Sequence, residues 1–306
     1  MKKVKERSRN SKIFNLIAIA VIVLQLLLIF LPFIWGVAQS FKPWLEWGII
    51  GDRLSFPENP TTTYYELFFR EFFYDVDRPN MFTGVVEATR VYFEDALLIT
   101  FLYAAGNSLA AFISCFITAY ILYKFRRFKS SGVFYAIIVI AINLPLAGGT
   151  ASGLKLYHQL GIYDNVLALC ILNAHPLQFF FLIFYSSFFA IPNDFFEAAE
   201  VDGAGRFRIM VQIALPLVKG VVLLFFLQAF VSAWNNYMTC LMYMPSYPTI
   251  GYLLYKYKFK TSPQALTEPA SKLAACFMCA LPIIILFIFF GKKMMQGVSI
   301  AGGVKG

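Results

Sequence analysis

The chain has 306 residues, of which 59% are hydrophobic, 18% are aromatic and only 14% are charged. This composition is too apolar for a soluble domain of that length and indicates an integral membrane protein. The formal net charge of +9 is compatible with nucleic-acid binding only if the basic residues cluster on one soluble face. They are instead divided among short segments beside apolar runs, so no nucleic-acid partner is expected.

The distribution of charge predicts how the chain is oriented in the membrane. Residues 1–12 carry six Lys or Arg, the run Lys124–Lys129 carries four, and residues 291–306 carry three, whereas residues 37–95 hold five basic and ten acidic residues. Basic loops remain in the cytoplasm. Both termini and the Lys124–Lys129 loop are therefore predicted to be cytoplasmic, and the acidic loop to be outside. An even number of crossings follows, and the apolar runs give six.

The first apolar run, residues 13–36, follows a basic cytoplasmic tail at residues 1–12. It is too long for the core of a signal peptide, so it is predicted to be a retained first span. The outer loop at residues 37–95 has aromatic residues at helical spacing, which predicts a helix lying on the membrane surface, either as a plain anchor or as a grip for an external partner. These residues are Tyr64, Tyr65, Phe68, Phe69, Phe72 and Phe73.

Five further spans are predicted inside a core at residues 96–291, which is followed by a cytoplasmic tail at residues 292–306. They are Ala96–Tyr123, Val133 to about Ala151, Asn165–Ala190, Ala214–Leu241 and Leu273–Phe290. The fold class expected is therefore an all-α integral membrane protein with six transmembrane helices. Cys276 and Cys279 form a CxxC motif, but no second pair or histidine completes a metal site, so membrane packing is the interpretation preferred for the cysteines.

A polar segment, residues 191–216, separates the fourth and fifth spans. Pro192 and Asp194 suit a helix start, and Gly203 suits its end. The adjacent Ala198 and Ala199 allow another surface to approach the backbone closely. A short helix followed by a glycine turn at the mouth of a membrane bundle is a shape that docks into a groove.

Two alternatives remain open for the charged residues of this polar segment. Glu197 lies three residues after Asp194, a spacing at which its carboxylate closes a capping box. Arg206 and Arg208 are anchors for lipid headgroups or contacts with a partner protein.

The polar segment at residues 191–216, called the coupling loop below, resembles a segment of a known family. Its sequence Glu197-Ala198-Ala199, then Asp202-Gly203-Ala204, then Ile213 and Leu215-Pro216 is similar to the coupling-loop signature of the permease subunits of bacterial ABC importers. The end of the chain, residues 297–306, closely resembles the tail of the maltose-type permease. Shorter similarities to sugar permeases occur at Asn59-Pro60-Thr61, Ala119-Tyr120, Asn143-Leu144-Pro145 and Leu160-Gly161-Ile162-Tyr163.

This resemblance implies a type I ABC importer permease fold in the bacterial plasma membrane. It implies a complex with a second homologous permease subunit, two ATPase subunits and an extracellular solute-binding protein, and a carbohydrate substrate. The coupling residues would be Glu197, Ala198, Ala199, Asp202, Gly203 and Ala204, with Glu197 expected to pair with a basic group of the ATPase.

The chemistry missing from the sequence supports a non-catalytic subunit. No GxxxxGK[ST] phosphate loop occurs, so ATP and Mg²⁺ are expected in the partner ATPase, with no cofactor or metal in this chain. No Asp or Glu lies inside the six predicted spans, which disfavours proton- or sodium-coupled transport. His158 and His175 have no visible serine or cysteine partner, so a membrane hydrolase has no support.

Polar residues on the fifth span are candidates for the substrate path. Gln228, Ser232 and Asn235 are spaced four and three apart, which places them on one helical face. Trp234 beside them is suited to stack on a sugar ring whose hydroxyls the amides bind. Hydrogen bonding between helices is the alternative.

A second outer segment, Lys256-Tyr257-Lys258-Phe259-Lys260, alternates basic and aromatic residues. By resemblance it would contact the solute-binding protein, and the alternative is an interfacial anchor. For the whole chain, the alternatives are an ABC permease for a peptide, polyamine or other solute, and an ATP-independent secondary carrier or channel.

Overall fold

The computed structural model describes residues 2–48, 54–79, 86–144, 149–259 and 268–301. The described residues are mostly helical and form two compact units. Unit 1 comprises Met1–Phe72 and Tyr257–Met278, and unit 2 comprises Phe73–Lys256 and Cys279–Gly306.

Unit 1 contains α1 (Lys2–Ser40), α2 (Trp44–Gly48) and α3 (Thr63–Glu71), together with the beginning of α15 (Pro269–Ala301). Tyr64 of α3 packs against Ala270 and Ala274 of α15. The surface helix expected in the outer loop is thus a helix at Thr63–Glu71, with one face buried in unit 1. Of the two remaining aromatic residues, Phe72 follows α3 and Phe73 starts a strand.

Unit 2 begins with a β-hairpin, which the all-α expectation does not include. Strands β1 (Phe73–Pro79) and β2 (Val86–Tyr92) pair in antiparallel register, with Phe73 opposite Tyr92 and Pro79 opposite Val86. Val76 and Val91 are buried while their neighbours are mostly exposed, so the hairpin has one apolar face. The alternation of Val76 with Asp75 and Asp77 is the period of two typical of such a strand.

The helices of unit 2 follow the hairpin in chain order. They are α4 (Phe93–Lys124), α5 (Lys129–Asn143), α6 (Gly149–Gln159), α7 (Val166–Leu172), α8 (Phe179–Phe189), α9 (Asn193–Val201), α10 (Arg206–Ile209), a π-helical turn (Met210–Ala214), α11 (Leu215–Leu217), α12 (Lys219–Asn235), α13 (Tyr237–Tyr243) and α14 (Ile250–Lys258). Helix α14 ends in unit 1, and α15 continues from unit 1 into unit 2.

The core of unit 2 is built around α4, which packs against α7, α8 and α12. Phe116 of α4 meets Phe184 and Phe188 of α8 edge to face, with ring centroids 5.7 and 5.5 Å apart. Phe112 approaches Phe226 of α12 at 5.1 Å. Interlocked aromatic rings of this kind hold the helices by packing, since a membrane supplies no hydrophobic drive for helix association.

Three helical segments among the described residues are long and apolar enough to cross a membrane: Phe14–Ser40, Phe93–Lys124 and Pro269–Phe289. Two bent pairs, Phe179–Phe189 with Asn193–Val201 and Arg206–Leu217 with Lys219–Asn235, raise this number to as many as five. Six spans with cytoplasmic termini therefore remain a prediction.

Two of the predicted spans are interrupted among the described residues, and a third is described only in part. The fourth is divided into α7 and α8 by residues 173–178, where Pro176 supplies no N–H for a helical hydrogen bond. The fifth begins at Lys219 and is interrupted at Asn236, whose side chain caps α13 by accepting from the Thr239 N–H. The third corresponds to α5, which has only 15 residues, and its predicted end includes residues 145–148, outside the described ones.

Candidate functional site

The coupling loop turns sharply away from the helices on both sides of it. Helix α9 is bent by 73° relative to α8, and the segment Arg206–Leu217 is bent by 79° relative to α12. Between α9 and α10 the chain reverses at Gly203, which has φ +76°. This left-handed conformation costs little energy only for glycine, which has no Cβ. The predicted helix, glycine stop and reversal are all present.

The start of α9 differs from the sequence expectation. Pro192 occupies the N-cap position, and no side chain makes a capping hydrogen bond. Asp194 lies inside the first turn of the helix, so neither the Asp194 cap nor the capping box with Glu197 forms. Both carboxylates are exposed, and the capping alternative for Glu197 is therefore wrong.

The two adjacent alanines face different surroundings. Ala199 is buried, as is Phe196, and the Ala199 carbonyl accepts the Ala204 N–H at 2.9 Å. Ala198 is exposed on the outer face. Ala198 is therefore the more accessible of the two alanines to another molecule, while the small side chain of Ala199 allows the chain to fold back on itself after Gly203.

The outer face of α9 is a groove bordered by exposed apolar side chains. The groove has a volume of about 570 Å³ and is lined by Pro192, Asp194, Phe195, Ala198, Ala199, Asp202 and Ile213. Three large apolar side chains of the coupling loop are strongly exposed: Phe195 at 52%, Val201 at 87% and Phe207 at 74%. Exposed apolar side chains beside carboxylates are typical of a protein contact.

The inner face of α9 is tied to the loop between α4 and α5. Lys124, the last residue of α4, forms an ion pair with Glu200. The Asn193 carboxamide oxygen accepts hydrogen bonds from the Tyr123 hydroxyl and from Arg126 Nη2, each at 3.2 Å. Helix α9 is thus bonded directly to the end of α4, the central helix of unit 2.

These tethering residues were missed by the sequence reasoning, which placed the Lys124–Lys129 loop and the coupling loop on the same side of the membrane without pairing them. The signal available was the opposite charge of Lys124 and Glu200. The hydrogen bond and charge of Lys124 lower the pKa of Glu200 from its ordinary value. Glu200 is consequently ionised near neutral pH.

The substrate-path candidates do not all share one face. Gln228, Ser232 and Asn235 are at least partly exposed on α12, as their spacing predicts, and the Asn235 side chain also donates to the Val231 carbonyl at 3.0 Å. Trp234 is only 3% exposed and packs against Phe230 with ring centroids 5.7 Å apart. The structure therefore does not place Trp234 beside the amides, because the next position along a helix points about 100° away.

Two further polar groups lie along α4 and at the break between α7 and α8. Within the described part of the chain, Asn107 Oδ1 and His175 Nδ1 are buried without a hydrogen-bond partner. The His175 carbonyl accepts from Cys115 of α4 at 3.7 Å, so the break packs directly on that helix. Unsatisfied polar atoms between helices add candidates for the substrate path that the sequence reasoning did not include.

The docking candidates fall on and after α14 instead of forming an extended segment. Tyr257 is buried and stacks near Phe72 at 5.2 Å within unit 1. In unit 2, Lys256 lies over the rings of Tyr74 and Tyr252 at 5.3 and 5.4 Å. Lys258 and Phe259 are exposed, whereas Lys260 lies outside the described residues. Only part of the alternating pattern is therefore available to a partner.

A family model described as "Binding-protein-dependent transport system inner membrane component" matches residues 116–298, more than half of the chain. The chain is also similar to the maltodextrin transport system permease protein MdxG of Bacillus subtilis (strain 168). The two are 30% identical over 188 residues, which cover 61% of this chain and 66% of that protein. The inner membrane ABC transporter permease protein YcjP of Escherichia coli (strain K12) is 27% identical over 245 residues, covering 77% of this chain and 80% of that protein.

A third relative is the sn-glycerol-3-phosphate transport system permease protein UgpE of Brucella abortus (strain 2308), with 31% identity over 162 residues, 53% of this chain and 56% of that protein. The chain thus spans slightly less than two thirds of MdxG and just over half of UgpE. Among solved structures, a bacterial ABC transporter involved in the import of the acidic polysaccharide alginate matches with a TM-score of 0.74 and 20% identity. The match covers 93% of this chain and 97% of that one, and it supports the fold alone.

Proposed function

Since the chain belongs to the family of binding-protein-dependent transport system inner membrane components, we propose that it is the permease subunit of an ATP-driven importer for a sugar or oligosaccharide. Separate ATPase subunits hydrolyse ATP, and this chain forms half of the translocation path together with a second, homologous permease. An extracellular solute-binding protein delivers the substrate.

The observation that carries this proposal is the two-sided character of α9. Its outer face exposes Ala198 and apolar side chains in a groove. The Glu197 carboxylate is exposed on the other side of the helix, where Glu200 and Asn193 are bonded to the end of α4. When an ATPase subunit bound to the outer face of α9 moves, it moves α4 and the helices packed on it. Closure of the two ATPases then rocks the permeases between inward- and outward-facing states.

The substrate class follows from the relatives and from the polar face of α12. Two relatives are named for the transport of maltodextrin and of sn-glycerol-3-phosphate. Gln228, Ser232 and Asn235 present neutral hydrogen-bonding groups, and α12 beyond its first residue, Lys219, supplies no cation for a phosphate. This favours a neutral, hydroxyl-rich solute. The second permease then holds the remaining contacts.

The exposed end of α14 is the part of the chain proposed to meet the solute-binding protein. Lys258 and Phe259 are exposed there, while Lys256 and Tyr257 make aromatic contacts within unit 2 and unit 1 respectively. A cationic surface of this kind suits an acidic partner and accelerates its encounter with the membrane complex.

The coupling role is tested with Glu197→Gln in the complete complex reconstituted in vesicles. Loss of a charge-assisted hydrogen bond to the ATPase costs about 1.5–3 kcal/mol, so uptake driven by ATP should fall about tenfold or more while the amount of protein in the membrane is unchanged. Glu94→Gln, at the opposite end of α4, is the matched control and should retain uptake.

Two outcomes would contradict the proposal. Undiminished uptake by the Glu197→Gln complex removes the coupling role. Uptake that survives depletion of ATP and collapses with an ionophore indicates a secondary carrier instead.

A further inference from the structure

A second groove lies between the α4–α5 loop and the coupling loop, on the opposite side of α9 from the groove on its outer face. Its volume is about 560 Å³. Four cationic and two acidic side chains line it, which leaves a surplus of two positive charges. They are Lys124, Arg126, Arg127 and Arg206, with Glu197 and Glu200.

The cations differ in how far they are already engaged. Lys124 is paired with Glu200, and Arg126 donates to the Tyr123 carbonyl at 3.1 Å and to Asn193. Arg127 and Arg206 are exposed and form no ion pair with any residue that the structure describes. The guanidinium groups of Arg127 and Arg206 thus remain available, beside Lys124 and Arg126, which are already engaged.

The geometry of Arg206 suits an anion with several oxygen atoms. Its guanidinium lies over the ring of Phe125, with the central carbon 5.2 Å from the ring centroid. Stacking restrains the plane of the group and leaves its N–H edges accessible, which is the arrangement that binds carboxylate or phosphate oxygens in pairs.

The position of the groove indicates where the anion comes from. Lys124 is the last residue of the candidate span Phe93–Lys124, so the groove opens where that helix leaves the membrane. Phe128, in the same loop, is 62% exposed. An exposed aromatic ring among arginines is typical of a surface at the depth of the lipid headgroups.

We propose that this groove binds the phosphate of an anionic phospholipid headgroup, with Arg127 and Arg206 as its principal ligands. The lipid bridges the α4–α5 loop and the coupling loop, and so holds the coupling loop at the membrane surface. A soluble phosphate compound offers the same chemistry, but its binding would not require a groove at the end of a membrane span. The proposal concerns lipid binding and stands whether or not the cargo is a sugar.

The test measures lipid binding to the full chain, purified in neutral detergent with the subunits that accompany it, by native mass spectrometry. Short-chain phosphatidylglycerol is titrated against phosphatidylcholine. The double variant Arg127→Gln, Arg206→Gln should bind phosphatidylglycerol about thirtyfold more weakly, because each cation near an anionic lipid surface contributes a factor of about five.

The matched control is the double variant Lys129→Gln, Arg208→Gln, which removes the same charge from exposed residues that do not line the groove. It should bind phosphatidylglycerol as the unchanged protein does. An equal loss in both variants, or no preference for phosphatidylglycerol over phosphatidylcholine, would overturn the proposal.

Two further arms identify the source of the anion. Inorganic phosphate at millimolar concentration should leave phosphatidylglycerol bound, and displacement by phosphate alone would assign the groove to a soluble anion. Binding should also be present in the assembled complex. Lipid binding that occurs only after the ATPase is stripped off would assign the groove to an acidic segment of that subunit instead.

Discussion

At the scale of single residues, Gly203 is the position on which the shape of the coupling loop depends most directly. Its φ of +76° is strained for any residue with a Cβ, although nothing within 4 Å blocks an added side chain. Gly203→Ala should therefore cost about 1 kcal/mol of stability and reduce ATP-driven uptake.

The neighbouring Gly205 provides the control for this prediction. It has φ −65°, which alanine adopts readily, and it also has nothing within 4 Å. Gly205→Ala should be neutral in thermal unfolding and uptake, and Gly203→Asn should be milder than Gly203→Ala because asparagine tolerates the left-handed region. Equal effects of the two alanine substitutions would show that backbone conformation is not the cause.

The ion pair of Lys124 and Glu200 predicts a pH dependence. Because the pKa of Glu200 is lowered in the folded protein, its contribution is present above the ordinary value of 4.5 and is lost as pH falls through the folded pKa. The Glu200 side chain is 47% exposed, so the contribution is less than about 1 kcal/mol.

Glu200→Gln should accordingly be slightly less stable than the unchanged protein at about pH 7, and the difference should shrink as the pH falls below 4.5 through the folded pKa of Glu200. Chemical denaturation in detergent over a series of pH values measures it. Adding Glu200→Gln to Lys124→Gln should cost less than the same change made alone. A difference that persists in acid would contradict an ionic origin.

At the scale of secondary-structure elements, α14 and α12 approach each other closely at Gly251. A Cβ on this residue would lie 3.1 Å from the Trp234 carbonyl oxygen, which belongs to the backbone and cannot rotate away. Gly251→Ala should therefore lower the thermal stability of the protein, despite the higher helix propensity of alanine.

Gly132 of α5 is the matched helical glycine, since nothing lies within 4 Å of its Cβ position. Gly132→Ala should raise stability by about 0.5–1 kcal/mol. Thermal unfolding in detergent compares the two variants, and an increase in stability for Gly251→Ala would contradict the close packing of α14 on α12.

The sequence predicted elements well where the apolar pattern was long or the local residues were decisive. Helix α4 agrees with its predicted span within three residues, because its apolar run is uninterrupted. The turn at Gly203 followed from residue type alone. The break between α7 and α8 was not predicted, since hydropathy averages over Pro176 and its polar neighbours.

Contacts between distant segments were the part that sequence reasoning could not supply. The bonds of Asn193 to Tyr123 and Arg126 join positions 70 and 67 residues apart, and neither spacing nor composition pairs them. The burial of Trp234 and Tyr257 could not be predicted for the same reason. The face of a helix that is covered depends on the helices packed beside it.

At the scale of the whole molecule, the chain is an inner-membrane component in which the loop proposed to bind the ATPase is bonded to the helical core. The coupling loop contacts the α4–α5 loop, and α4 contacts α7, α8 and α12. The aromatic packing between these helices makes the core stiff, because close-packed interiors deform little. Motion applied at one end of α4 therefore reaches the residues proposed to line the substrate path.

The central claim is that the outer face of α9 lies in the cytoplasm and is covered by an ATPase subunit. Labelling of the Ala198→Cys variant with a membrane-impermeant maleimide tests it most directly, with the unsubstituted protein as background and Thr89→Cys on the exposed strand β2 as the outward-facing control. The account predicts that the thiol introduced at position 198 is labelled only in inverted vesicles and only after the ATPase is stripped off, whereas the thiol introduced at position 89 is labelled in intact cells. Labelling at position 198 in intact cells, or equal labelling there with and without the ATPase, would contradict it.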